Sequence, residues 1–277
     1  MYGLPQAGII VNKLLTKRLA PYSYYQCRHT PGLWRHTNRT TKLCLFVDDF
    51  MIQYTGQEHA KHLINILQNY YKSVSLDWDA TLSCGVTLKW DYRKRTCETS
   101  MPGYIPALLK RFGHPTPKRT QYAPHKHNAP QYGVKIQFTD PIDHSPKLSP
   151  PQVKTIQKQV GTLLYYCRAI DNTLMVALSN ISSEKIRATD KTQQAIHQLI
   201  DYCATNPNAI VRFHACDMRL KIHSDTGYFN AAGSRSRAGG HFYLQNNDNK
   251  PDTKNGAILN PNGILRHIAS SEAKDEL

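Results

Sequence analysis

The chain has no run approaching the roughly 18 consecutive apolar residues of a membrane span, so no membrane is expected among its partners. It also lacks paired cysteines. The seven thiols, at positions 27, 44, 84, 97, 167, 203 and 216, form no Cys-x-x-Cys. An odd count without an apparent signal peptide points to reduced thiols in the cytosol or nucleus. The terminal Lys274-Asp275-Glu276-Leu277 spells an endoplasmic-reticulum retention signal, but with no signal peptide it reads as accidental. Acid is scarce. Against 35 Lys and Arg stand 20 Asp and Glu, giving a formal charge of +15 and a pI near 9.5. That excess favours a polyanionic partner, although ordinary solvated Lys and Arg faces also produce it. No acid precedes Asp48. Metal-ligand clusters are lacking too: His59 with His62, and His125 with His127, have no companions at ligand spacing and read as ordinary surface residues.

What is present centres on Phe46-Val47-Asp48-Asp49-Phe50, two adjacent carboxylates within the apolar run from Leu43 to Ile52. β-Branched and aromatic residues around two turn-favouring acids predict a hairpin with both acids at its tip. From the pentad alone, a metal-binding tip and a plain Asp-Asp turn fit equally well. Upstream, Tyr2-Gly3-Leu4-Pro5-Gln6-Ala7-Gly8 leads into Ile10, Val11, Leu14, Leu15 and Leu19, a helical spacing after a Gly/Pro-marked turn.

In that order the two segments resemble the palm of the reverse transcriptases of copia-type long-terminal-repeat retrotransposons. Gly3 to Gly8 look like the second palm motif and Phe46 to Phe50 like the third. The resemblance implies that Gly3, Leu4, Pro5, Gln6 and Gly8 contact the incoming deoxynucleotide and the template. It implies equally that Asp48 and Asp49 hold Mg²⁺ or Mn²⁺. Nucleotidyl transfer needs one metal to activate the primer hydroxyl and another to stabilise the leaving pyrophosphate, about 4 Å apart. Hard cations of this kind want clustered carboxylate oxygens. The family uses a third acid on a strand preceding the Gly-Leu-Pro-Gln segment, and this chain has none there. Copia elements more often carry Lys-Gln-Ser where this chain has Pro5-Gln6-Ala7, a departure that leaves the acids untouched.

At 277 residues the chain can hold one large or two smaller domains. Leu63, Ile64, Leu67, Tyr70 and Tyr71 predict a helix over 57–71. Leu82 to Trp90 reads as a strand and resembles the family's primer-grip hairpin; an ordinary hairpin with a buried Trp90 is the alternative. A short helix over 105–112 should end at Gly113, its Lys110 and Arg111 favoured by the helix dipole. Then comes a linker carrying Pro115, Pro117, Pro124, Pro130, Pro141, Pro146, Pro150 and Pro151, half of the 16 prolines. Helical spacing resumes after Ser149-Pro150-Pro151 and again after Thr189-Asp190. Val160 to Tyr166 resembles the copia-type stretch before ribonuclease H, with Arg168-Ala169-Ile170-Asp171 replacing the usual Arg-Pro-Asp-Ile.

Three strands are expected near the C-terminus: Leu220 to Asp225, ending on the acid, Gly239 to Leu244, and Ile264 to Ala269. A helix should start at Ser270-Ser271. With Ser234-Arg235-Ser236-Arg237, this order resembles the opening of a copia-type ribonuclease H domain. The resemblance makes Asp225 and Glu276 the first two metal ligands of a nuclease acting on an RNA–DNA hybrid.

The expectation is an α+β chain: partial palm and thumb over 1–113, linker over 114–152, helical connection over 153–208, and the start of a ribonuclease H-like mixed sheet over 209–277. Its implied partners are an RNA template, an RNA–DNA hybrid or primer–template duplex, and deoxynucleotides. A non-catalytic nucleic-acid-binding remnant and an inert relic of a decayed element are the alternatives. With the acid sets incomplete, the 277-residue chain alone should neither extend a primer with Mg²⁺ nor cut a labelled RNA–DNA duplex with Mn²⁺. Robust product in either assay contradicts this.

Overall fold

A computed structural model describes residues 6–46, 49–126, 143–184, 187–231, 235–247 and 249–265; the side chains of 228–231 and 235 are not included. The architecture is α+β, built of helices and antiparallel sheets in two compact units, Met1–Leu88 and Lys89–Leu277. Among the described residues, no helix is long and apolar enough to cross a membrane.

The first unit opens with α1 (Ala7–Leu19), which buries Leu15 and Leu19 and leaves Ile9, Ile10 and Leu14 exposed. Four strands follow, β1 (Tyr24–Gln26), β2 (Leu33–His36), β3 (Lys42–Phe46) and β4 (Asp49–Gln53), pairing in sequence order as an antiparallel meander. Helix α2 (Gln57–Tyr70) then buries Ala60, Leu63, Ile64, Ile66 and Leu67. The i, i+3, i+4 spacing of these residues makes one apolar stripe. Leu63, Ile66 and Leu67 join Leu15 and Leu19 of α1 and Tyr24, Trp34 and Leu43 of the sheet in a single core. At about 25 cal/mol per Å² of apolar surface, that burial is the main force holding helices to sheet.

Residues 82–90 are not one strand. The chain reverses between β5 (Leu82–Ser83) and β6 (Val86–Asp91), where Cys84 and Gly85 take φ of 49° and 75°. Two positive φ angles are what a type I′ hairpin turn requires, and glycine meets one of them without steric cost. Trp90 is 42% exposed and stacks on Tyr92 at 6.2 Å, so the buried-tryptophan alternative does not hold.

In the second unit, β7 (Thr96–Ser100) precedes α3 (Tyr104–Phe112), which ends as expected on left-handed Gly113. The linker residues 127–142 lie outside the described residues, and 143–149 are tied down. Asp143 accepts from Ser145 and from the hydroxyl of Thr189, holding its carboxyl down at about 2. Helix α4 (Pro150–Ala169) starts at Ser149, whose N–H donates to Gln152 in a capping box. Helix α5 (Met175–Glu184) has no counterpart in the sequence reading, because its mixed Met-Val-Ala-Leu-Ser-Asn run shows little amphipathic contrast. Helix α6 (Asp190–Thr205) buries Ile196, Leu199, Ile200 and Cys203, the predicted stripe.

Strand β8 (Ile210–His214) pairs with β7. The last sheet has the long hairpin β9 (Arg219–Ala231) and β10 (Arg235–Gln245), with β11 (Ala257–Leu259) and β12 (Asn262–Ile264) along the other side of β10. Two expectations change here. Strand β9 runs six residues past Asp225, because Thr226, Gly227 and, beyond a register irregularity, Ala231 keep ladder partners on β10. The third strand begins at Asn262 rather than Ile264, and residues 266–277, including the expected helix start and Glu276, lie outside the described residues.

The packing makes a direct contrast. Leu63 is fully buried and Leu14 is 41% exposed. Leu63→Ala should cost about 2–5 kcal/mol in urea unfolding, whereas Leu14→Ala should stay within about 0.5 kcal/mol. Equal losses would contradict the core assignment.

Candidate functional site

The β3–β4 hairpin is present, with Leu43 opposite Ile52, Leu45 opposite Phe50 and Phe46 opposite Asp49. Of the two acids expected at its tip, one falls among the described residues. Asp49 is the first residue of β4 and paired on the ladder opposite Phe46, and Asp48 lies outside the described residues. Strand alternation explains the apolar flanks. Leu45, Phe50 and Ile52 pack against the core while Asp49 stays exposed.

Asp49 lines a cleft of about 1100 Å³ in the first unit. Across it lie Gly8 and Val11 of α1, with Ile64 and Leu67 of α2 forming a wall. Two predicted site residues from segments forty positions apart in sequence, Gly8 and Asp49, therefore share one cavity. Gln6 is exposed and caps α1 through its backbone carbonyl, which accepts from the Ile10 N–H at 3.0 Å. Gly3, Leu4 and Pro5 lie outside the described residues. A Cβ at Gly8 would meet no described atom within 4 Å, so nothing packed there demands glycine.

The same cleft contains Asp77 and Trp78, which the sequence reading did not single out. Trp78 meets Tyr54 edge-on at 6.2 Å. Asp77 is occupied with its own turn. Its Oδ2 accepts from the Thr81 hydroxyl at 2.8 Å and the Thr81 N–H at 2.7 Å, and its Oδ1 from the Asp79 N–H at 3.1 Å. These bonds, the Thr81 hydroxyl foremost, hold its carboxyl below the usual range. An Asp-x-Asp-x-Thr turn is the sequence signal for such a local cap. No described residue lining the cleft is Lys or Arg. A phosphate beside Asp49 would therefore need a bridging cation.

Asp225 lies in the second unit, exposed, mid-strand on β9 opposite Gly239. Its Oδ1 accepts the Thr226 N–H at 2.8 Å. It borders a groove of about 500 Å³ together with His223, His241, Asn172, Asn260 and Asn262. His223 and His241 face each other across the β9–β10 ladder. The His223 ring stacks on Tyr243 at 5.5 Å, with Nε2 at 2.8 Å from the phenol oxygen, and His241 Nδ1 bonds Asn260 Oδ1 at 2.7 Å. Of the Arg-Ser segment, Arg237 acts as a clamp. Its guanidinium donates to Ser179 Oγ at 2.6 Å, Asn180 Oδ1 at 2.6 Å and Asn262 Oδ1 at 2.9 Å, joining β10 to α5 and β12.

Among the described residues there is no group of three or more His, Cys, Asp or Glu able to hold a metal ion. The acids described in the first cleft are Asp49, standing alone, and Asp77, already hydrogen-bonded in its turn. By itself this described set is short of the clustered carboxylates of a two-metal centre, and Asp48 lies outside the described residues. No protein-family model matches the chain, and no curated protein matches it either.

Arg237→Met should lower the urea midpoint by the equivalent of about 1–3 kcal/mol, since three acceptors lose a charged donor. An unchanged midpoint would show that the clamp contributes nothing.

Proposed function

We propose that the chain is a portion of a copia-type retrotransposon reverse transcriptase and that its first unit receives a primer–template duplex at the Gly8–Asp49 cleft. The observation that carries this reading is that single cavity. The residues resembling the second and third palm motifs, remote in sequence, line it together. That no described atom stands within 4 Å of a Cβ at Gly8 supports the backbone role the resemblance gives it, since glycine lets a ligand approach the main chain closely. The net positive charge of the chain supports a polyanion as the ligand. The antiparallel hairpin with a helix beneath it suits a palm, and the three antiparallel columns β9, β10 and β12 suit the opening of a ribonuclease H sheet. In this reading Mg²⁺ is recruited jointly with nucleic-acid phosphates, because the cleft's described lining has no cation of its own.

Nucleic-acid binding at this cleft is the activity proposed for the chain. A second reading, an inert relic, is favoured by the exposed Ile9, Ile10, Val11 and Leu14 on α1. Folding separates the two. A relic would unfold without a cooperative transition.

The test is fluorescence anisotropy with a labelled RNA–DNA hybrid at two salt concentrations. If about six phosphates are neutralised, affinity should fall about 10³-fold between 50 and 200 mM salt. Asp48→Asn with Asp49→Asn should leave metal-free binding intact and abolish any strengthening by Mg²⁺. Binding indifferent to salt, or no binding by a cooperatively folded chain, would overturn the proposal.

A further inference from the structure

Three histidines converge in the first unit away from the cleft lining. His36 ends β2, and His59 and His62 stand one turn apart on α2. The sequence reading of His59 and His62 as ordinary surface residues is corrected: both are half-buried. The His36 and His62 rings lie 5.6 Å apart at 79°. Tyr24 of β1, only 2% exposed, joins them, edge-on to His36 at 4.7 Å and stacked on His62 at 5.9 Å. Its hydroxyl is 3.2 Å from His62 Nδ1.

Arg39 and its neighbours donate into the group. His36 Nδ1 accepts the N–H groups of Asn38 at 2.9 Å and Arg39 at 3.1 Å, and His59 Nδ1 accepts from the Arg39 guanidinium at 3.2 Å. A nitrogen that accepts carries no proton, so the two bonds to His36 Nδ1 are compatible only with an unprotonated Nδ1. Arg39 is the fixed cation in their midst. The acid facing the group is Glu58, whose Oε1 is 3.5 Å from His59 Nε2 and whose side chain is 71% exposed. Thr41 completes the set, donating to the His59 carbonyl at 3.1 Å. Burial first, and Arg39 next, push both His36 and His62 below the ordinary imidazole value of 6.5.

Helix α2 carries His59 and His62, and the same helix supplies Ala60, Ile64 and Leu67 to the cleft wall. We infer that Tyr24, His36, Arg39, His59 and His62 form an acid-sensitive latch: protonation of His36 and His62 near Arg39 releases α2 from β1 and β2 and dismantles the cleft. Protonation at Nδ1 of His36 forfeits its two accepted bonds, and a charged His36 or His62 places a second cation near the Arg39 guanidinium. Glu58 is too exposed to offset that charge. The sign follows from linkage. Groups whose folded pKa is depressed contribute stability that is complete above about 6.5 and lost as pH falls through their lowered folded values. The latch thus closes at neutral pH and opens on mild acidification, whatever occupies the cleft.

The experiment uses the full chain with Trp78→Phe and Trp90→Phe, so that buried Trp34 in the core alone reports. Its urea midpoint should fall between pH 7.5 and 5.5, above the range where the lowered Asp and Glu groups titrate. His36→Asn with His62→Gln should flatten that fall, since amides retain hydrogen-bonding atoms but do not titrate. An unchanged wild-type midpoint, or the same fall in the double variant, overturns the latch. Should the double variant not fold, NMR titration of the native chain decides: His36 and His62 must titrate below 6.5, together with loss of native Trp34 emission. Titration at or above that value overturns it equally.

Discussion

The first unit depends on one packing event, the burial of the α2 stripe against α1 and the sheet. Leu63, Ile66 and Leu67 meet Leu15 and Leu19 from one side and Trp34 and Leu43 from the other. Each of these is nearly inaccessible to solvent, so the helices cannot shift without opening a void, which is costly in a close-packed interior. Fixing α1 fixes Gly8; fixing the sheet fixes Asp49. Their meeting in one cleft follows from core geometry rather than from any bond between them. The same helix presents histidines on another face, which links cleft integrity to proton concentration.

Charge in this protein is divided by role. The chain as a whole is strongly basic, yet the described lining of the cleft offers two carboxylates and no cation. A polyanion attracted at long range would meet local repulsion at Asp49 unless a divalent ion came with it. Several charged groups that look available are already engaged. Asp77 and Asp143 cap their own turns, Arg237 clamps three elements, and Arg212 pairs with Glu98. Local satisfaction of this kind is what sequence patterns conceal, since a carboxylate in a turn and a carboxylate at a metal are written with the same letter.

Elements with strong periodicity were legible. α2, α4 and α6 follow their apolar stripes, and the starts at Ser149 and Thr189 follow from their capping chemistry. Gly113 announced the end of α3. What escaped was set by register and tertiary contact. The reversal at Cys84-Gly85 was hidden because apolar residues continue on both sides of it. Strand β9 outran Asp225 because its ladder with β10 continues, and no local signal marks a strand's end when its partner keeps pace. Helix α5 had too little contrast to be seen. At the site, Asp49 was legible as a hairpin acid but its ladder position was not. Three histidines separated by up to 26 positions could be joined only by the fold.

The measurement that tests the central claim most directly is photo-cross-linking of the full chain to an RNA–DNA primer–template carrying a photoreactive base near the primer end, with the attached peptides mapped by mass spectrometry. The account predicts attachment to α1 near Gly8 and to the strand following Asp49, both lining the one cleft. Attachment confined to residues 89–277, or none despite salt-sensitive binding, would contradict it.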